Sequence, residues 1–211
     1  MMGTFESRQG GGAAIALDDI EISILRSLAV QLLELIGPGE PEPAEDADPL
    51  AVLFASDGPT EPPSDPALAR LFPDAYGAGP DARDGLGDGS QGGLPAAEER
   101  ELRARSAEFR RFTENDLRTR KREDALAVVR SLDGLTPAGD GAAVLELTGE
   151  LPLRWLGALN DLRLTIAARL EITEDDESAT LFRLPDDDPR KPMVMAYLWL
   201  GGLQESLIET L

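Results

Sequence analysis

The sequence predicts a helix-dominated α+β domain of about five helices, with a small antiparallel β-sheet and a disordered acidic insertion. Three observations carry this. Apolar residues recur at three- and four-residue steps near both ends of the chain, the period of helices buried along one side. Short aliphatic runs beside glycines read as strands. Between the two ends, residues 37–94 hold 10 of the 16 prolines and 12 acidic against 2 basic residues, a net charge of −10. Such a segment buries too little apolar area to offset its chain entropy. The 211 residues read as a single domain, 1–211, with 37–94 as its largely disordered insertion.

The elements follow in chain order. Phe5 to Arg8 is a weak strand, Gly10-Gly11-Gly12 a turn, and Ala13 to Leu17 a second strand. Asp18 fits an N-cap, and Glu21 three residues on completes a capping box. Ile20, Ile24, Leu25, Leu28, Leu32 and Ile36 then form one helical stripe, ended by Gly37-Pro38, with the glycine as a left-handed cap. Two apolar islands interrupt the insertion, Leu50 to Ala55 and Leu68 to Phe72. They are either short helices docking back onto the core, which is the favoured reading, or linear motifs for a partner. Pro95 opens a helix with Glu98, Glu99 and Glu101 at its positive end. Leu102, Phe109 and Phe112 form a sparse apolar edge, and Leu126, Val129 and Leu132 another before Gly134. The stretch Thr113 to Asp124 between them is nearly all polar, so the helix there is exposed or kinked.

Ala142 to Leu147 reads as a third strand, followed by a helix with Trp155, Leu159, Leu162, Ile166 and Leu170 on one stripe. This repeats the strand-then-helix order of the N-terminus, a weak sign of duplication. Thr173 to Glu177 is an acidic loop, Leu181 to Leu184 a short strand, and Asp186-Asp187-Asp188-Pro189 a turn. Pro192 opens the last helix, carrying Val194, Leu198, Leu200, Leu203, Leu207 and Leu211. The three apolar helices are expected to cover one another, with the Trp155 stripe against Leu25, Leu28 and Leu32 and against the C-terminal helix.

Composition excludes several kinds of chemistry. The chain has no Cys and no His. It therefore has no disulfide framework, no thiolate, no imidazole base and no ordinary zinc site. Lysine occurs only at Lys121 and Lys191, and the other basic residues are Arg, a skew typical of GC-rich bacterial genomes. A formal net charge of −20 repels phosphate backbones and anionic lipid, and favours basic protein partners. The N-terminus lacks a secretory pattern and no apolar run is long enough to span a bilayer, so a cytoplasmic location with no membrane association is expected.

Each motif is weighed against its plain alternative. Gly87, Gly89 and Gly92 match G-x-G-x-x-G, but Asp81, Asp84 and Asp88 surround them and no strand precedes them, so nucleotide binding is rejected. Asp175-Asp176-Glu177 and Asp186-Asp187-Asp188 read as solvated loops, not metal sites. Asn160, Asp161 and Arg163 either lie on an exposed face or anchor the C-terminal helix, the favoured reading. No catalytic residue, cofactor site or metal site is assigned, and an enzyme built on carboxylates alone is the least favoured class.

Two partner-binding candidates remain. Arg110, Arg111, Arg118, Arg120, Lys121 and Arg122 make residues 110–122 the one basic stretch, suited either to DNA phosphates or to neutralising the nearby acidic insertion. Tyr197 and Trp199 place large rings on the last helix, either in the core or free to meet a second subunit or a regulator.

Arg154 to Thr173 (RWLGALNDLRLTIAARLEIT), Tyr197 to Leu211 (YLWLGGLQESLIETL) and the opening LDDIEISILRSLAVQLLELI resemble an actinobacterial family. Its members are small proteins encoded beside the ClpS protease adaptor, some of them described as oxidative-stress transcriptional regulators (AosR-like). The resemblance covers both ends of the chain. It implies a cytoplasmic regulator, expected to be non-enzymatic, working through protein contacts with the transcription machinery, such as a sigma factor. The alternative, read from the basic stretch 110–122 and not from the resemblance, is a DNA-binding regulator, and a homodimer is compatible with either. Redox sensing in that family is attributed to a cysteine pair, which this chain does not have, so thiol sensing does not carry over.

Overall fold

The computed structural model describes residues 3–38, 58–76, 95–135, 142–172 and 183–211. They form two compact units, one from Met1–Pro38 with Arg120–Leu211 and the other from Gly39–Thr119. Leu50 to Ala55, Gly87, Gly89, Gly92 and Asp175-Asp176-Glu177 lie outside the described residues.

The first unit opens with strands β1 (Glu6–Ser7) and β2 (Ala13–Asp18), joined through Gly10, Gly11 and Gly12, all at positive φ. Gly12 is required twice over: φ is 90°, and a Cβ there would sit 2.2 Å from the Leu147 carbonyl oxygen. Helix α1 (Asp19–Ile36) follows at once. The Asp18 carboxylate accepts from the Ile20 and Glu21 amides, and the Glu21 carboxylate accepts from the Asp18 amide, completing the capping box. Gly37 ends α1 at φ 85° and ψ −178°, an extended positive-φ geometry and not the left-handed cap expected from sequence. Strand β3 (Ala142–Leu147) pairs antiparallel with β2, Ile15 opposite Leu145, giving the order β1-β2-β3.

Strand alternation sends Ala13, Ile15, Leu17, Ala143, Leu145 and Leu147 inward. Against this core lie buried residues of α1, of helix α4 (Leu151–Leu170) and of helix α5 (Lys191–Ile208). Four residues of the α4 stripe, Trp155, Leu159, Leu162 and Ile166, are buried, and Leu170 is half-buried. Trp155 is fully enclosed. Phe5 meets it edge-on at 6.2 Å, and its indole N–H donates to Ser131 Oγ at 3.3 Å. The α1 stripe is rotated from the expected one: Leu25, Ala29, Leu32 and Ile36 are buried, Leu28 is half-buried, and Ile20 and Ile24 face solvent. On α5, Trp199 and Ser206 join Val194, Leu200, Leu203 and Leu207 inside, while Leu211 is exposed. Arg183 and Leu184 lie in a turn, so the described half of Leu181 to Leu184 is not strand.

The second unit contains helix α2 (Pro66–Leu71), within the island Leu68 to Phe72, and the first part of helix α3 (Ala96–Asp133). Asp65 caps α2 by accepting from the Ala67 and Leu68 amides. The long α3 contains no Gly or Pro and runs unbroken through Thr113 to Asp124. Glu99–Arg103 at 2.7 Å and Glu101–Arg105 at 2.6 Å support its first turns, Glu preceding Arg as the helix dipole favours. Its buried face here is polar: Ser106, Arg110 and Glu114 point inward, while Phe109 and Phe112, expected as the apolar edge, are exposed.

Candidate functional site

The basic stretch 110–122 lies wholly on α3, and its side chains divide between the two units. In the second unit Arg110 is only 4% exposed. Its guanidinium donates to Glu114 at 2.5 Å, to Asp74 at 2.8 Å and to the Phe72 carbonyl at 3.1 Å. Burial alone would lower the Arg110 pKa, but the bonds to Asp74 and Glu114 outweigh it and hold the pKa above its ordinary value. Glu114 is itself buried and also accepts from Arg118 at 2.9 Å, and Arg118 lies 4.5 Å over the Phe72 ring. Ser106 completes the strap by donating to the Tyr76 carbonyl and accepting from its amide. Residues 72–76 are thus held to α3 by charge and hydrogen bonds beside a cavity of about 30 Å³, the volume of one water.

In the first unit the other basic residues are also engaged. Lys121 donates to Asp161 at 2.6 Å, and both side chains are largely withdrawn from water. Arg122 donates to the Leu33 and Gly37 carbonyls and so satisfies the C-terminal end of α1. Burial raises the Asp161 carboxyl above the usual range despite the pull of Lys121. Burial likewise raises Asp124, with Arg154 and Arg120 opposing and Asp161 and Glu123 reinforcing. Arg111 and Arg120 are the exposed members of the stretch, and Arg111 stacks 5.4 Å over Phe112.

The second candidate surface is α5. Trp199 is 9% exposed, with no hydrogen-bond partner for its indole nitrogen among the described residues, and belongs to the core. Tyr197 is half-buried, and Arg163 from α4 stacks over its ring at 5.0 Å while donating to Gln204 at 2.5 Å. A Cβ on Gly201 would stand 3.5 Å from the Arg163 guanidinium, ordinary van der Waals contact, so the stacking does not require a glycine there. An open groove of about 590 Å³ runs along this side, lined by Tyr197, Leu198, Gly202, Glu205 and the exposed Ile208.

Asn160, Asp161 and Arg163 therefore take three different positions. Asn160 is exposed, Asp161 holds Lys121 on α3, and Arg163 anchors the C-terminal helix. Sequence reasoning missed Asp161 and Glu114 as buried ion-pair partners. Their signal was position alone, Asp161 beside Leu162 on the apolar stripe and Glu114 one turn from Arg110. Asp186 and Asp188 form a turn, Asp186 pairing with Lys191 and Asp188 with Arg190 at 2.9 Å. Those contacts hold both carboxyls below the usual range. Among the described residues no group of three or more acidic side chains is placed to hold a metal ion. Within each unit the buried charges fix local geometry, and exposed apolar side chains such as Phe112 and Ile208 remain at the surface.

The family described as Domain of unknown function (DUF2017) matches residues 2–211. A Mycobacterium leprae protein, named as a candidate oxidative stress regulator AosR, is 33% identical over 189 residues, 89% of this chain and 77% of that one. The proteins named oxidative stress regulator AosR from Mycobacterium bovis and Mycobacterium tuberculosis are each 28% identical over 204 residues, 96% of this chain and 84% of theirs. No solved structure matches.

Proposed function

The chain belongs to the family of the domain of unknown function DUF2017, and from that premise we propose a cytoplasmic regulator of the oxidative-stress response that binds protein partners and does not catalyse. The mycobacterial relatives support the regulatory part by their names. One observation supports protein over DNA as the partner. Arg110, Arg118, Lys121 and Arg122, the bulk of the basic stretch, are already engaged within the chain, and the remainder faces a net charge of −20. No helix among the described residues is long and apolar enough to cross a membrane. The transcription machinery is the partner class, with a sigma factor first. With no cysteine, the chain has no thiol of its own to oxidise, so thiol sensing is not part of this reading.

The test is co-elution of the full chain with RNA polymerase and with individual sigma factors of its own organism, run beside duplex-DNA titrations at ~150 mM salt. The expected result is a protein complex and no measurable DNA binding. A submicromolar, sequence-selective DNA complex without any protein complex overturns the proposal in favour of a DNA-binding regulator.

A further inference from the structure

The sheet has two edges, and they are built differently. β1 is only two residues long and runs into Arg8 and the glycine turn, an edge too short to offer much to another strand. β3 forms the opposite edge over six residues, Ala142–Leu147, with no Pro, Gly or Lys to blunt it. The direction of its backbone groups follows from the turn. The Gly12 carbonyl accepts from the Arg8 amide, so even-numbered residues of β2 face β1 and odd-numbered ones face β3. Ala13, Ile15 and Leu17 stand opposite Leu147, Leu145 and Ala143, which therefore direct their amides and carbonyls to β2. Val144 and Glu146 alternate with them and turn these groups outward, where no bond meets them among the described residues. Both side chains are exposed on the outer face of the sheet, Val144 at 60%. The one charge on the strand, Glu146, is answered within the chain by Arg8 at 2.9 Å.

We propose that the outer edge of β3 is a self-association surface, and that its occupant is the same edge of a second copy of this chain. Antiparallel pairing about a two-fold axis at Leu145 sets Val144 opposite Glu146 of the second copy, and the reverse. Each such pair exchanges two hydrogen bonds, so the four outward groups of each copy are all satisfied. Leu145 stands opposite Leu145 of the second copy on the inner face, and the two sheets become one. Charge favours a second copy over a basic foreign strand, because Arg8 already neutralises the one carboxylate that a basic strand would meet. Two chains of charge −20 repel at long range, and salt screens that repulsion. The pairing therefore strengthens with ionic strength, the reverse of a contact held by opposite charges.

Sedimentation of the full chain over a range of concentrations tests this. A monomer–dimer equilibrium is expected, tighter at ~500 mM than at ~50 mM salt. Val144→Glu sets a carboxylate opposite Glu146 of the second copy, twice across the axis, and is expected to weaken the dimer about tenfold. Val144→Lys, at the same exposed site, is expected not to weaken it. A chain without cysteine allows a second readout that does not depend on added charge. Under mild oxidation Val144→Cys is expected to form disulfide-linked dimers about tenfold faster than Leu153→Cys, a control exposed at 63%. A chain that stays monomeric up to about 100 μM overturns the proposal and leaves the edge to a foreign strand. A dimer that weakens with salt, or equal cross-linking rates at the two cysteines, overturns it in favour of a contact elsewhere on the chain.

Discussion

The Lys121 ammonium lies 2.6 Å from a carboxylate oxygen of Asp161, with 19% and 3% of the two side chains exposed. A pair this withdrawn from water is costly to break from one side, because the remaining charge stays buried. Lys121→Met is expected to lower stability by about 3–5 kcal/mol, and Lys121→Met/Asp161→Leu to recover most of that loss. The sign of the pH dependence follows from Asp161, whose folded pKa is raised by burial. Its contribution is present at low pH and is lost as pH rises through the folded pKa. Without Lys121 that pKa rises further, so the deficit of Lys121→Met should be small near pH 4 and grow toward pH 7. Denaturant unfolding at the two pH values measures it, and a deficit independent of pH would exclude burial of Asp161 as the cause.

Gly157 on α4 and Asp124 on α3 are fitted to each other, since a Cβ on Gly157 would stand 2.7 Å from Asp124 Oδ2. Helix propensity alone makes Gly157→Ala a gain of about 1 kcal/mol. The clash meets the end of a side chain that can rotate away, so it should cancel much of that gain and leave Gly157→Ala within about 1 kcal/mol of the parent chain. Gly157→Ala/Asp124→Ala should then be more stable than Gly157→Ala alone. Asp124 also has its pKa raised, burial being the main cause, so Asp124→Asn should gain on the parent chain as pH rises from 4 to 7. Thermal melts of the three variants beside the parent chain decide the matter. A stabilising Gly157→Ala would show that Asp124 swings aside freely.

How much was legible from sequence depended on what held each element. The Asp18–Glu21 capping box and the Trp155 stripe were legible because local hydrogen bonding and apolar period dictate both. The register of the α1 stripe was not. Leucine and isoleucine occupy half of that helix, so small Ala29 could replace Ile24 on the buried face without any signal in the period. The polar core of the second unit was invisible for a different reason. Arg110 and Glu114 read as surface charges, and only Asp74 and Phe72, some 40 residues earlier, make their burial tolerable. The two candidate surfaces were named by residue type, which does not reveal whether a charge already has a partner.

The Arg110–Glu114 pair makes a prediction about the second unit. Glu114 holds both Arg110 and Arg118, so Glu114→Ala leaves Arg110 with Asp74 as its only carboxylate among the described residues. A loss of about 3–5 kcal/mol is expected in this unit, seen as faster proteolytic cleavage between residues 58 and 76. Glu114→Gln, which keeps the shape and one acceptor, should fall between the two. If cleavage in this window is unchanged by Glu114→Ala, the strap 72–76 is held by Phe72 and Ser106 without help from charge.

Trp199 and Tyr197 sit two residues apart on α5, yet the helix turns them into different surroundings. Trp199 is in the core with its indole N–H unpaired among the described residues, whereas Tyr197 is half-buried beneath Arg163. Replacing Trp199 with Ser removes a large buried ring and should destabilise the first unit by about 3–5 kcal/mol. Trp199→Phe should be much milder, because it deletes an N–H that has no partner to lose. Ile208→Glu, at an exposed position in the neighbouring groove, should leave stability within about 0.5 kcal/mol of the parent chain. The three variants separate fold from interface. If Trp199→Ser keeps its melting temperature, the indole is not core and returns as a binding residue. If capture of the partner survives Ile208→Glu unchanged, the α5 groove is not the contact.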